Sequence, residues 1–266
     1  MLEWLKKINS GSNPELDSTY LFSTPLIPVV LLSSYAAFVL HFGPKWMKNR
    51  APMNLRHIIV VYNLVQVLYN AWMAIQFSLV RTTWTVEKNL GCVVNLEPSD
   101  NALFRQQHAY GFWHFAVNKI LDLFDTVFFV LTKKQNHVTF LHVHHHIVMV
   151  MNTWFFGKYA MTSEGNFMAY CNMIVHAIMY FYYFLAALGP KYQKYLWWKR
   201  YMTQIQITQF VAIIIFNMIA MYRCGENYNY LLHYVIVGEA MVNFCLFARF
   251  YAKSYKNADK KMSKKD

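Results

Sequence analysis

The stretch TQIQITQFVAIIIFNMIAMY, residues 203–222, is typical of a membrane-spanning helix because it contains no Asp, Glu, Lys or Arg. A helix needs about 20 predominantly apolar residues to cross a bilayer, and this stretch meets that length. Comparable stretches lie on both sides of it. The predicted spans are 25–43, 57–80, 109–131, 138–157, 167–187, 203–222 and 230–252. The sequence therefore predicts an all-α integral membrane protein with about seven transmembrane helices.

The composition agrees with this class. Charged residues make up 14% of the chain, whereas soluble globular chains carry about 25%. The net charge of +12 would indicate nucleic acid as a partner if the chain were soluble. In a membrane protein, Lys and Arg instead collect in cytoplasmic loops and tails. We therefore expect a lipid bilayer around this chain and no nucleic acid as a partner.

Lys and Arg are distributed unequally between the two sides of the predicted membrane. Most of them fall in the loops after the first, third and fifth spans and in the tail. The positive-inside rule then predicts a lumenal N-terminus and a cytosolic C-terminus. The chain divides into a lumenal segment (1–24), a seven-helix transmembrane domain that carries the candidate site (25–252) and a basic cytosolic tail (253–266).

The tail ends in DKKMSKKD, residues 259–266, which is similar to a lysine-based retrieval signal of the endoplasmic reticulum. A run of solvated charge beside anionic lipid is the alternative interpretation. We expect a multi-pass protein of the endoplasmic-reticulum membrane.

Two cysteines fall in separate loops on the predicted lumenal side, namely Cys92 and Cys224. A lumenal compartment permits disulfides. We therefore predict a Cys92–Cys224 bond that ties the two loops together.

Three ionisable residues lie inside the third span: Lys119, Asp122 and Asp125. Each unpaired group costs roughly 2.5–3.5 kcal/mol in the middle of a membrane helix. Their spacing of three residues places them along one side of a helix. A Lys119–Asp122 ion pair accounts for two of them and leaves Asp125 in need of a partner elsewhere.

The fourth span opens with FLHVHHH, residues 140–146. His142, His145 and His146 share one helix face, while His144 points elsewhere. A lone buried histidine is usually a satisfied core residue. A cluster of imidazoles indicates metal ligation, acid–base chemistry or nucleophilic catalysis.

Two later spans carry polar residues at helical spacing. An aromatic belt at the membrane interface, or polar contacts between helices, would explain some of them. The predicted topology, however, brings them to the same cytosolic depth as the histidines and carboxylates, which predicts one site that water-soluble head groups reach from the cytosol. These residues are Asn172, His176, Tyr180 and Tyr183 in the fifth span and Gln206 and Gln209 in the sixth.

Four ordered motifs in this region resemble those of the very-long-chain fatty-acid elongases, the ELO family. The resemblance implies six helices that ring a narrow acyl-chain tunnel. It also implies condensation of a long-chain acyl-CoA with malonyl-CoA to give 3-ketoacyl-CoA, CO2 and CoA, with these two substrates and no metal or further cofactor. The motifs are Lys119-x-x-Asp122-x-x-Asp125-Thr126, His142-x-x-His145-His146, Asn172-x-x-x-His176-x-x-Met179-Tyr180-x-Tyr182-Tyr183 and Thr203-x-x-Gln206-x-x-Gln209.

The catalytic roles follow from the chemistry of these side chains. An imidazole can act as the nucleophile that accepts the acyl group. We assign this role to His145, with His142 and His146 as alternatives. Asp125 is expected to hold a histidine in the required tautomer. The candidates for polarising a carbonyl are His176 and Asn172.

Basic side chains are expected to meet the CoA phosphates as point charges. The candidates are Lys119, Lys133 and Lys134, although Lys119 has the alternative of pairing only with Asp122. The remaining substrate-binding candidates are Asp122, Tyr180, Tyr183, Gln206 and Gln209.

The chain departs from the family pattern at four places. Asp122 replaces the usual Glu, His137 replaces Gln before the histidine box, and His144 replaces an aromatic residue. The residues 161–164 stand where the family often has Pro-Gly-Gly. These departures leave the preferred acyl length and unsaturation open.

Two other functions fit parts of the pattern. Membrane di-iron desaturases and hydroxylases also use His-x-x-His-His boxes, but they need more histidine ligands than one box provides. A transporter would use the polar cluster as a proton or substrate path, with its site nearer the membrane midplane. The elongase interpretation also suggests contact with the other enzymes of the elongation cycle, and the sequence leaves a homodimer open.

Overall fold

The computed structural model describes residues 13–79, 98–159, 163–224 and 230–256, and within these ranges it contains helices and no strand. Two single-turn helices, Pro14–Asp17 and Tyr20–Ser23, precede seven long ones. Each predicted span corresponds to one long helix, so the predicted fold class is confirmed. The long helices are α1 (Leu26–Met47, with a π-helical turn at Phe38–Phe42), α2 (Arg56–Leu79), α3 (Pro98–Leu131), α4 (Phe140–Tyr159), α5 (Ser163–Ala187), α6 (Lys199–Cys224) and α7 (Tyr230–Tyr251, followed by a π-helical turn at Ala252–Lys256).

Among the described residues, five helices are long and apolar enough to cross a membrane: α1, α2, α5, α6 and α7. The other two, α3 and α4, are long enough at 34 and 20 residues. Polar side chains interrupt them, and these are the ionisable groups of the third predicted span and the histidines of the fourth. The chain is a multi-pass membrane protein in which the two most polar spans carry the candidate site.

Six of the helices form a closed ring in the order α2, α5, α6, α7, α4 and α3, and α3 packs back against α2. The contact between α2 and α5 is the most extensive, and that between α4 and α7 is the least. The remaining helix, α1, lies outside the ring against α3 and α4. There the hydroxyl groups of Tyr35 and Thr126 lie 2.6 Å apart. The predicted ring of six helices is present, whereas a continuous tunnel inside it stays a prediction.

The two ends of the ring are distinguished by their connections. We call the end with the connections 48–55, 132–139 and 188–198 the near end. The opposite end, which we call the far end, carries the segment 13–25.

An arginine fixes one of the near-end connections. The Arg56 guanidinium, at the start of α2, donates to the carbonyl oxygens of Ala187 and Leu188 at the end of α5. Gly189 follows with φ 99°, and an added Cβ there would lie 2.5 Å from Arg56 Nη2. Glycine is therefore required both for the backbone conformation and for the approach of the arginine.

Candidate active site

A buried ion pair is the centre of the candidate site. The Lys119 ammonium lies 2.7 Å from Asp122 Oδ2 on the same helix, and the two side chains are 1% and 2% exposed. The ammonium also donates to Asn172 Oδ1 on α5 at 2.9 Å and lies 3.3 Å from His176 Nδ1. The predicted Lys119–Asp122 pair is therefore present, and it joins α3 to α5 across the ring interior.

The Asp122 carboxylate also contacts hydrogen-bonding side chains of α2 and α5. Its Oδ1 atom accepts from Gln66 Nε2 on α2 at 2.6 Å and from the Tyr180 hydroxyl at 2.8 Å. Its Oδ2 atom lies 3.3 Å from His176 Nδ1. A buried charge is tolerated when a counter-ion and several hydrogen bonds compensate for lost water, and Asp122 has both.

The partner that Asp125 needs is a phenol. The Tyr180 hydroxyl lies 2.7 Å from Asp125 Oδ2, so one phenol proton serves the two carboxylates of α3. The Tyr62 hydroxyl lies 3.3 Å from the Tyr180 hydroxyl. We expected Asp125 to orient a histidine. In the described contacts, Asp122 is the carboxylate beside a histidine ring, and Asp125 pairs with Tyr180.

The histidines of α4 form a compact group of rings. The ring centroids of His142 and His146 are 4.4 Å apart, and those of His145 and His146 are 5.9 Å apart. His145 and His146 also lie close enough to His176 to interact with it electrostatically. His144 stacks instead on Phe140, in agreement with its predicted orientation.

A residue of α7 that sequence reasoning missed holds one of these histidines. His145 Nδ1 lies 3.2 Å from Asn243 Oδ1. The Asn243 amide nitrogen donates to the Glu239 carbonyl oxygen at 2.9 Å, which turns its own oxygen toward the histidine. Since an amide oxygen only accepts, the hydrogen bonding assigns the proton to Nδ1 and leaves a lone pair on His145 Nε2.

Three other predicted residues lie inside the ring. Tyr183 makes an edge contact with Tyr180 at a centroid distance of 6.1 Å. Gln206 Nε2 lies 3.4 Å from the sulfur of Met179, and Gln209 is buried. These side chains flank the network without direct hydrogen bonds to it among those described.

Two of the three lysines predicted to contact the CoA phosphates lie away from this network. Lys133 and Lys134 are exposed at the near end, where Lys133 Nζ donates to the Lys48 carbonyl oxygen. The structure therefore separates them from the buried network. Lys119, the third candidate, has its ammonium directed at Asp122 and Asn172.

The predicted disulfide cannot be traced. Cys92 and the side chain of Cys224 lie outside the described residues, and so does the tail 259–266. The Cys92–Cys224 bond and the retrieval signal stay predictions.

Sequence reasoning also missed the contribution of α2. Tyr62, Gln66 and Asn70 recur every four residues and therefore share one helix face. Gln66 is 1% exposed, and its Oε1 atom accepts from Asn118 Nδ2 at 3.0 Å. Polar residues at helical spacing inside the second predicted span were the signal that would have revealed this face.

Comparison with known proteins identifies the family. The model of the ELO family, described as GNS1/SUR4, matches residues 20–264. The chain belongs to the ELO family. The four motifs that resemble the ELO pattern contribute side chains to the ring interior of this ELO-family chain, at its near half.

Relatives of this ELO-family chain carry elongase names. Very long chain fatty acid elongase 7 of Rattus norvegicus is 38% identical over 255 residues, which cover 95% of this chain and 87% of the relative. The protein of the same name from Drosophila melanogaster is 36% identical over 259 residues (97% and 77%). Very long chain fatty acid elongase 1 of Mus musculus is 36% identical over 247 residues (92% and 86%).

Proposed function

We propose that this chain is an acyltransferase of fatty-acid elongation that condenses a long-chain acyl-CoA with malonyl-CoA to give 3-ketoacyl-CoA, CO2 and CoA. Membership of the ELO family supports this class of reaction. The main support for placing the reaction at this site is the hydrogen bond between His145 and Asn243. This bond leaves the lone pair of His145 Nε2 available near the buried Lys119–Asp122 pair. Acyl transfer requires a nucleophile and fixed charges in one place.

The first half-reaction transfers the acyl group to the protein. The lone pair on His145 Nε2 attacks the thioester carbonyl carbon of acyl-CoA. The carbon–sulfur bond breaks, CoA leaves as a thiolate that takes up a proton from water, and the acyl-imidazole forms in its cationic state because Nδ1 keeps its proton. Asn243 holds the Nδ1 proton while positive charge develops on the ring, as the acceptor of a catalytic triad does.

The second half-reaction extends the chain. Malonyl-CoA loses CO2, and the electron pair of the broken carbon–carbon bond forms an enolate. Its carbanion carbon attacks the acyl-imidazole carbonyl, the carbon–nitrogen bond breaks, and neutral His145 is restored. Lys119 and His176, held by Asp122 and Asn172, supply donors for the negative oxygen atoms of this step.

We assign the near end to the cytosolic side of the endoplasmic-reticulum membrane. Its connections and the tail contain the excess of Lys and Arg. The CoA parts of both substrates then lie beside Lys133 and Lys134. Contact with the other enzymes of the elongation cycle at this surface is part of the same proposal.

The di-iron alternative requires several clustered metal ligands. Within the four described ranges, no group of three or more His, Cys, Asp or Glu side chains is placed to hold one metal ion.

The test is a condensation assay with matched histidine variants. The chain in lipid nanodiscs is incubated with a panel of acyl-CoAs and labelled malonyl-CoA. We expect labelled 3-ketoacyl-CoA that is lost in His145→Ala and retained in His144→Ala, whose ring stacks on Phe140. Product that persists in His145→Ala would remove His145 as the nucleophile. No product with any acyl-CoA from folded protein would overturn the proposed reaction.

A further inference from the structure

The N-terminal segment 13–23 packs against α3 and α4 at the far end of the ring. Leu16 and Phe22 are 0% exposed, although each lies in a helix of only four residues. Segment 13–23, which we call the plug, belongs to a hydrophobic cluster that joins four helices of the ring. Besides Leu16 and Phe22, the cluster contains Phe112 on α3, Trp154 and Phe156 on α4, Ile213 on α6 and Ile236 and Ala240 on α7.

One lysine of α4 fastens the plug at three points. Lys158 Nζ lies 2.8 Å from Asp17 Oδ1 and donates to the Phe22 carbonyl oxygen at 2.9 Å. The Lys158 carbonyl oxygen accepts from the Asn13 backbone N–H at 2.9 Å. Because the lysine side chain is 6% exposed, its charge depends on these partners. One ion pair and two hydrogen bonds therefore attach the plug to α4.

The plug and α4 are in close contact. An added Cβ at Gly157 would lie 3.2 Å from Phe22 Cε1 and 2.9 Å from Phe112 Cδ1. The Phe22 ring is parallel to that of Trp154 at a centroid distance of 6.5 Å, and Trp154 Nε1 donates to the Leu21 carbonyl oxygen at 3.1 Å. A larger residue at position 157 would therefore displace the Phe112 or Phe22 side chain.

The plug lies along α4 from the proposed nucleophile. His145 and Phe156, which belongs to the same hydrophobic cluster as Leu16 and Phe22, are eleven residues apart on this helix. They therefore lie on the same face of α4, about 16 Å apart along its axis. The polar network occupies the near half of the ring, whereas the plug presents Leu16 and Phe22. An acyl chain attached at His145 therefore finds its apolar surroundings toward the plug.

We propose that the plug sets the maximum length of the acyl chain, with Leu16 and Phe22 as the floor that the methyl end of the chain meets. This inference rests on the proposed function, since it requires an acyl-CoA bound within the ring. Each cycle of condensation adds two carbons to the chain. A chain whose methyl end already meets the floor is too long to place its carbonyl carbon at His145. The Asp17–Lys158 pair positions the floor and does not contact the substrate.

Substitutions in the floor test the inference through product length. Leu16→Ala and Phe22→Leu enlarge the space, and we expect the longest product to gain at least two carbons while the rate with short acyl-CoAs is unchanged. Phe22→Trp is expected to shorten the longest product. Tyr20→Ala is the matched control, because Tyr20 lies in the same segment and is 83% exposed. An identical product distribution in all folded variants would overturn the inference.

A photoreactive acyl-CoA tests the contact without turnover. Two CoA thioesters with a diazirine at the methyl end, one of the longest accepted length and one several carbons shorter, are bound to the full chain in nanodiscs and irradiated. The longer probe is expected to label peptide 13–23, and the shorter one to label the ring helices. Labelling by the longer probe outside 13–23 would overturn the inference even if condensation is normal. Labelling of 13–23 in a chain that forms no condensation product would support the plug and overturn the proposed function instead.

Discussion

The Lys119 ammonium lies 2.7 Å from the Asp122 carboxylate within the membrane-spanning part of α3, and neither side chain is more than 2% exposed. Each charge alone would cost roughly 2.5–3.5 kcal/mol in a membrane helix. Gln66 on α2 and Asn172 on α5 hydrogen-bond to this pair. The same charges that oppose insertion therefore join three helices of the ring.

Neutralising one member of this pair is expected to harm both stability and activity. Asp122→Asn leaves the Lys119 charge buried without its counter-ion, which costs about 3–5 kcal/mol. Thermal denaturation in nanodiscs and the condensation assay measure the two effects. The double variant Lys119→Met with Asp122→Leu removes both charges and is expected to recover part of the stability and none of the activity. Recovery of activity would show that the pair is only structural.

Removal of the phenol between the two carboxylates is the second prediction. Tyr180→Phe deletes the donor that Asp122 and Asp125 share. Each carboxylate loses one of its hydrogen bonds, and a hydrogen bond to a charged group contributes about 1.5–3 kcal/mol, so we expect lower thermal stability and slower condensation. Tyr182→Phe is the control, since that ring is also buried and packs against Trp198 instead. Equal losses in the two variants would contradict a specific role for the Tyr180 hydroxyl.

The third prediction concerns Asn243 as a positioning residue for His145. Asn243→Ala removes the acceptor that fixes the Nδ1 proton, and we expect kcat to fall by about 10- to 100-fold, as for other groups that orient a functional histidine. Asn243→Asp keeps an acceptor and is expected to restore part of kcat. Recovery of kcat in Asn243→Asp would show that residue 243 positions the His145 ring and that the loss in Asn243→Ala is not one of packing alone.

A second buried Asn–His pair provides the control for this experiment. Asn217 Oδ1 lies 3.1 Å from His233 Nδ1, and its amide nitrogen donates to the Ile213 carbonyl oxygen. Asn217→Ala is expected to lower stability as much as Asn243→Ala does, with kcat retained. If both variants lose kcat to the same extent, the Asn243 effect is one of folding.

The fourth prediction is a pH dependence at the near end. Partial burial, with help from the positive charges of Lys134 and Lys199, lowers the pKa of His137 below its ordinary value of 6.5. A histidine with a lowered folded pKa contributes stability above its unfolded pKa, and this contribution is lost as the pH falls through the folded pKa. We therefore expect His137→Gln to reduce the acid-side loss of thermal stability, measured between about pH 8 and about pH 5. The effect is small because the ring is exposed, and an unchanged acid limb would contradict it.

The spans and the main cluster were predictable because they depend on local sequence. The length of an apolar stretch identifies a membrane helix. Helical spacing, together with the alternating direction in which successive spans cross the membrane, placed the polar residues of four spans at one depth. The Lys119–Asp122 pair followed from the cost of unpaired charge in the membrane. None of these inferences requires knowledge of which helices pack against one another.

The missed features depend on how helices pack against one another. Asn243 is one of several polar residues in α7, and only the approach of α4 makes it the partner of His145. The sequence showed that Asp125 needs a partner but not that Tyr180 would serve both carboxylates. Leu16 and Phe22 lie in helices too short for a periodic signal, so their burial appears only in the tertiary structure.

In the proposed mechanism, His145 receives the acyl group before malonyl-CoA reacts. CoA release from a long acyl-CoA in a single turnover, without malonyl-CoA, followed by mapping of the acylated peptide, tests this order of steps. We expect one equivalent of CoA released, an acyl group on the peptide that contains residues 140–146, and loss of both in His145→Ala. CoA release that requires malonyl-CoA, or acylation that persists in His145→Ala, would contradict it.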